Sequence, residues 1–382
     1  LDGVERLHAK VRHVYRLFGN GDKLGLQISP GGHKDIQELQ VAAFRWFNRI
    51  LKGDEQSLAE NTGATYFTPE ELRVFRDGLP ADQINTRIHE EFVPLAAPPC
   101  VPESQDEWAT LRDGWMAALK NKSFRGWPSE AGPLNVSQVG ARAQNGCVAR
   151  VYDFDSQPCV RLRMFLCHQA ALEDVQQVRL SIGGDDPVGQ QATARLRAIL
   201  ANTADDLGLP SVSGDGTPGD LPEGVAEAVF FPRGVGPAAW DASEQKQIQN
   251  RRRFMLLGQT LAGMQTWDVR RALQAIRVLP GVDAEAKLNV AASGDMTVPL
   301  LYATLFEPPP AAMTLFNPPA THADGPDLLN VLRYLDLPQT MAMAAERGVT
   351  INVTAPTGDA WEYPEAVIER LKWPNASLSV QK

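Results

Sequence analysis

From residue 225 onward, short apolar runs alternate with helical segments, and that alternation leaves few architectures open. The runs VAEAVFF (225–231), KLNVAAS (287–293), MTLFNPP (313–319) and VTINVTAP (349–356) are too short for core helices and read as strands. Between them the spacing predicts a long helix over 244–278, a helix-like MTVPLLYATLF (296–306), and helical LLNVLRYL (328–335) and QTMAMAA (339–345). A last helix is expected over 364–372. Strands separated by helices pair in parallel through crossovers, and the helices then cover both sheet faces. The expected fold class is α/β, with a mostly parallel sheet.

Upstream the pattern is more mixed. Cys147–Phe154 and Cys159–Cys167, separated by DSQP, suggest a hairpin. VQQVRLSI follows as a strand ending in Gly183-Gly184-Asp185, then a helix at about 189–201 and a Gly/Pro/Ser/Asp-rich loop at 207–224. A tryptophan-bearing helix is expected over 105–120 and a Pro-rich linker at 95–104, with a further helix near 69–77 opened by Thr68-Pro69. The first 55 residues read as a helix, a strand (Leu24, Leu26, Ile28), a Pro30-Gly31-Gly32 turn presenting His33, and a helix carrying Val41, Phe44, Trp46, Phe47 and Leu51. Three regions result: 1–55, a connecting helical and irregular region at 56–144, and 145–382.

Of the 382 residues, 43% are hydrophobic and 22% charged, ordinary for a chain that buries a core. A net charge of −9 disfavours nucleic acid and anionic membranes as non-specific partners. No apolar run approaches the roughly 20 residues of a membrane span, and LDGVERLHAK lacks the apolar stretch of a signal peptide. Cys100, Cys147, Cys159 and Cys167 show no C-x-x-C spacing, so no zinc site is expected. Buried free thiols are the preferred reading, with a disulfide among the last three open in an exported protein.

Acyl transfer by a serine hydrolase needs a nucleophile on a strained strand-to-helix elbow, a histidine base, an acid orienting it, and N–H donors for the oxyanion. No serine here sits in G-x-S-x-G. After the strand at 287–292 the chain reads Ser293-Gly294-Asp295-Met296. Gly294 takes the nucleophile's register, Ser293 comes one residue early, and Met296 replaces the second glycine. The last histidine is His322, well before the final strand, and Asp359 is either an orienting acid or a solvated turn residue. His33, on a polar glycine turn, is either a base or a surface histidine. The turn Arg233-Gly234-Val235-Gly236 could offer N–H groups to an anion or simply bend the chain. The run Arg251-Arg252-Arg253 is expected to pair internally with Asp268 or neighbouring acids.

The run VYRLFGNGDKLGLQISPGGHKDIQELQVAAFRWFNRILKGD resembles the end of an α/β-hydrolase domain of the acetyl-xylan-esterase and dienelactone-hydrolase-like group, related to prolyl oligopeptidases. Large bacterial members carry two such domains in tandem. PRGVGPAAW, RRRFMLLGQTLAGMQTWDVRRALQAI, LLYATLFEP and GPDLLNVLRYLDLPQ resemble the second of them. The resemblance implies that 1–55 ends a first hydrolase domain and that 145–382 is a second, degenerate one. It makes His33 the catalytic histidine of a carboxylic-ester hydrolase, with serine and acid outside this chain. An N-terminal segment or partner chain would complete the domain, acting on a small ester or acylated carbohydrate without cofactor or metal. An inactive hydrolase-like scaffold or binding module and a prolyl-oligopeptidase-type peptidase are the alternatives. An extracytoplasmic location is implied by the same analogy. A half-domain would also leave the 24–29 strand edge and the apolar face of helix 38–52 uncovered.

Overall fold

A computed structural model describes residues 1–54, 66–98, 100–169, 175–212, 221–241, 243–280, 282–283, 285–355 and 359–381. Residues 213–220 of the loop expected at 207–224 lie outside them. The chain divides into two compact units, Leu1–Arg87 and Ile88–Lys382.

The larger unit holds one sheet of nine strands in the order β1-β2-β3-β5-β4-β6-β7-β8-β9. These are β1 (Ser137–Gln144), β2 (Cys147–Gln157), β3 (Val160–His168), β4 (Gln177–Ile182), β5 (Val225–Phe230), β6 (Lys287–Ser293), β7 (Ala312–Phe316), β8 (Thr350–Thr354) and β9 (Ser377–Gln381). β1, β2, β3 and β5 pair antiparallel, and every pairing from β5 through β4 to β9 is parallel. The expected hairpin is β2–β3, with Cys159 at φ +64° in its turn. β5 is buried along its whole length, as a strand covered on both faces should be.

The helices of this unit are α3 (Ile88–Phe92), α4 (Gln105–Ala118), α5 (Pro187–Leu200), α6 (Thr203–Asp206), α7 (Glu244–Leu256), α8 (Leu261–Ile276), α9 (Thr297–Phe306), α10 (Leu337–Glu346) and α11 (Glu362–Leu371). Their starts are written in side chains. Asp186 accepts from the Gly189 N–H ahead of Pro187, Thr260 accepts from the Gly263 N–H, and Asp336 forms a capping box with Gln339 ahead of Pro338. On one sheet face α4, α8, α9 and α10 bury Trp108, Phe154, Phe230, Val269, Leu300 and Met341. On the other, α5 packs Leu196 and Ile199 against Val151, Phe165 and Val229.

Three helix expectations need correction. The helix predicted over 244–278 is two helices, because Gly258 adopts φ +69° and ends α7. LLNVLRYL is not helical beyond one 3-10 turn at Val331–Arg333, since Asn330 enters it at φ +61°. The helix near 69–77 is a series of turns. β1 and β9 went unpredicted.

The smaller unit contains α1 (Asp2–Leu17) and α2 (Gln37–Phe47). Neither has a buried residue, and Leu7, Val14, Leu17, Phe18, Phe44, Phe47 and Leu51 are exposed. The strand expected at 24–29 is not one. Leu24 is extended, but no residue of 24–29 joins a ladder among the described residues, because a strand needs a neighbour for its backbone groups.

Candidate catalytic elements

In the smaller unit, Gly31 at φ +117° lets the chain turn back, with the Lys34 N–H donating to the Gly32 carbonyl and the Ile36 N–H to that of Lys34. His33 sits exposed on this turn. No carboxylate or hydroxyl hydrogen-bonds its ring among the described residues. Behind the turn, the Trp46 ring lies on Gly25 so closely that a Cβ there would come within 3.0 Å of it. The Arg49 guanidinium stands 4.7 Å from the centre of that ring. Trp46 thus fixes 24–29 against α2, and a groove of about 1050 Å³ opens there, lined by Gly25, Leu26, Leu39, Ala43, Trp46 and Phe47. His33 does not line it.

In the larger unit, the carboxyl ends of the parallel strands align. Ile182 is in register with Phe230 and Ala292, Ser293 with Phe316, Phe316 with Thr354, and Thr354 with Gln381. Ligand sites of open α/β sheets gather at this edge. β6 turns there into α9 through a sharp elbow. Ser293 is still extended at φ −126° and half-buried, and Gly294 makes the bend at φ +55°. The Thr297 hydroxyl donates to the Gly294 carbonyl at 2.6 Å. The strained position that displays a nucleophile in G-x-S-x-G is therefore present and held by glycine. A Cβ at Gly294 would meet nothing within 4 Å. Met296, where a second glycine would stand, lies over the β4 turn, with its Cγ 2.9 Å from where a Gly183 Cβ would be.

Beside the elbow, Gly183 and Gly184 adopt φ +88° and +79°. Asp186 follows, fully buried, and accepts from the Ser181 hydroxyl and the Gly189 N–H. Burial pushes its carboxyl above the ordinary carboxylate range, against those hydrogen bonds. Both of its oxygens accept inside the fold, one from the Ser181 hydroxyl and one in capping α5.

The Arg233 turn is also spent internally. The Arg233 guanidinium grips Asp268 through two contacts, Nε–Oδ2 at 2.7 Å and Nη2–Oδ1 at 2.6 Å, and its backbone N–H adds a third at 3.1 Å. The Ser156 hydroxyl donates to the same carboxylate at 2.5 Å. The glycines here permit a bend, and the fixed cation is already neutralised. The Arg251–Arg253 run was expected to pair internally with Asp268 or neighbouring acids; Arg251 does pair with an acid of this chain, Asp327, while Asp268 goes to Arg233. Asp359 is exposed at the start of a 3-10 turn after β8.

One polar cluster had no sequence signal. His322, in the loop after β7, is buried with Nε2 2.8 Å from the Tyr302 hydroxyl on α9. The Thr340 hydroxyl donates to Tyr302, and the His322 backbone N–H donates to Asp336. Desolvation holds the His322 imidazole down at about 4, against the pull of Asp336, so it is neutral near pH 7. Burial likewise raises the Tyr302 phenol. Nothing in ATHADGPD shows helical or strand periodicity, so only its packing reveals it.

No disulfide joins the four cysteines, of which Cys147 and Cys167 are buried and Cys100 and Cys159 exposed. Cys167 pairs with Ala149, which places Cys147 on a diagonal of the β2–β3 ladder, at a spacing too long for a disulfide without backbone movement. Among the described residues no group of three or more metal-ligating side chains gathers, and no helix is long and apolar enough to cross a membrane.

No family model and no curated protein sequence matches the chain. Solved structures do. A protein assigned as an acetyl xylan esterase from Bacteroides fragilis NCTC 9343 superposes at TM-score 0.55 with 13% identity, over 81% of this chain and 84% of its own. A glucuronoyl esterase from Solibacter usitatus matches at TM-score 0.51 with 10% identity, over 76% of this chain and 94% of its own. The chain thus has an acetyl-xylan-esterase-like α/β-hydrolase fold, as the strand–helix alternation and the quoted motifs led one to expect.

Proposed function

We propose that this chain is the rear portion or a subunit of a serine carboxylic-ester hydrolase, with His33 as general base. The observation that carries the reading is the order of elements around that histidine: helix, extended apolar run, Gly-Gly-His turn, helix. The larger unit ends its own sheet in the same way, with α11 leading into β9. An extended run followed by such a turn is where an α/β-hydrolase base would stand, third in chain order after serine and acid. His33 would take the proton from a serine hydroxyl during attack and return it to the leaving alcohol. Serine and acid would come from a segment or partner chain completing the domain around 24–29. That the fold's neighbours include an assigned acetyl xylan esterase and a glucuronoyl esterase supports a carboxylic ester as substrate, with an acylated carbohydrate one such ester. In the complete assembly His33→Ala should lower turnover of an activated acetyl ester by at least about a thousandfold while thermal unfolding is unchanged. Undiminished turnover removes the proposal.

A second reading concerns the larger unit alone, as a hydrolase-like module without acyl chemistry. Gly294 at the elbow favours it. The isolated chain should then neither turn over acetyl esters nor be labelled at Ser293 by a serine-directed fluorophosphonate. Labelling there would reject this reading.

A further inference from the structure

The net charge of −9 is spread unevenly along the chain. Residues 114–129 and 245–267 contain no Asp or Glu and together hold seven Lys and Arg residues. The fold joins these two stretches. The Gln259 side chain donates to the Gly126 carbonyl at 2.8 Å, and Arg125 Nη2 lies 2.7 Å from where a Cβ on Gly258 would stand. Arg251 pairs with Asp327. Arg125, Arg252 and Arg253 are exposed and pair with no carboxylate among the described residues. Leu256 and Leu257 stand with them, 86% and 74% exposed. Residues four apart on a helix are neighbours, so Arg252 flanks Leu256 and Arg253 flanks Leu257. The Leu257 N–H still donates to the Arg253 carbonyl, which carries that spacing through the helix end.

This end of α7 has a fixed base. Phe254 stacks on Trp240 with ring centres 6.0 Å apart, Arg251 grips Asp327, and Gln259 ties the following turn to Gly126. The two leucines form an apolar tip collared by guanidinium groups. We propose that this tip docks on an anionic lipid surface, with Leu256 and Leu257 entering the interface and Arg125, Arg252 and Arg253 meeting the headgroup phosphates. The size and shape of the tip select that partner. A stable protein complex uses about 20–30 residues a side, and the tip offers five. A bilayer interface needs no matching groove. It rewards each CH₂ it takes in and each Lys or Arg beside anionic headgroups. Acids beyond about 8 Å are screened at 0.15 M salt, so the local collar sets the attraction rather than the net charge. The proposal rests on the larger unit alone and stands or falls independently of His33.

Co-sedimentation of the whole chain with vesicles tests it. Vesicles of phosphatidylcholine with about 30% phosphatidylglycerol should bind the chain at least about tenfold more tightly than phosphatidylcholine alone. The double variant Leu256→Ser, Leu257→Ser should weaken that binding at least about tenfold. Arg252→Gln and Arg253→Gln should weaken it about fivefold each. All four positions are exposed, so thermal unfolding should not change, and either pair decides alone if the other misfolds. Phe44→Ser with Phe47→Ser, which removes exposed apolar surface from the smaller unit, should leave binding as it was. Equal binding to neutral vesicles, no binding to either, or indifference to the leucine or arginine pair overturns the proposal. So does a loss on changing Phe44 and Phe47 as large as that from the leucine pair. Soluble polyglutamate bound as tightly as the anionic vesicles, with the same dependence on the leucines, would assign the tip to an acidic protein and overturn it as well.

Discussion

Residues 2–29 and 362–381 follow the same plan, a helix, a short link and a run with alternating apolar side chains, but only the second reaches a sheet. Leu378 and Val380 of β9 pack on the core while the backbone pairs with β8 from Ser377 to Gln381. Leu24, Leu26 and Ile28 have the same spacing and no ladder among the described residues. The difference shows that period-2 patterning specifies a strand only where another strand offers its edge. The energetics follow. The larger unit owes its order to burial, and the smaller exposes most of the apolar side chains of its two helices.

Substitutions can break that contrast, and the largest effects belong to the larger unit. Phe154→Ala, at a fully buried position, should cost about 3–5 kcal/mol of unfolding free energy in urea titrations. Asp268→Ala should cost a similar ~3–5 kcal/mol, because it strands the Arg233 guanidinium inside the fold. A loss under ~1 kcal/mol from either would mean the sheet is not the stabilising element.

His322 gives the next effect, and it depends on pH. Its folded pKa of about 4 lies below its ordinary 6.5, so the unfolded chain binds more protons between those values. Its contribution is complete above pH 6.5, is lost as the pH falls toward 4, and changes no further below that. Melting temperatures of the parent chain and His322→Gln across pH 4–7 should converge toward the acid end. Parallel curves would show that the ring does not titrate with folding.

Gly294→Ala should cost only ~1–2 kcal/mol, the left-handed penalty of an L-residue, since its Cβ enters open space. A larger loss would mean that the elbow is crowded. Phe47→Ala in the smaller unit should fall within ~0.5 kcal/mol. A cost as large as that of Phe154→Ala would sharpen the contrast differently, by showing that something covers that face.

How much could be read from the residues follows the same logic. The parallel core was legible because β5, β6, β7 and β8 are short, largely apolar runs set between helices. The elbow's register at Ser293-Gly294 was legible because a strand ended there and glycine followed. The break at Gly258 was not, since one glycine inside a helical pattern can be tolerated and does not by itself mark an end. The Arg233–Asp268 pair was not legible, because its partners lie 35 positions apart and charge spacing says nothing about topology. His322 was invisible as a buried group because loop sequence carries no period. At His33 the residue pattern suggested chemistry, whereas its surroundings depend on groups the sequence cannot supply.

Gly294 also has an evolutionary consequence. The bend persists without the side chain it would otherwise exhibit, so its geometry does not depend on reactivity. Glycine and serine codons can differ by one base, and the space to receive a hydroxymethyl is already vacant. Gaining the oxygen would therefore be a small mutational step. Gaining an imidazole opposite it is a separate event, and selection could not reward either alone.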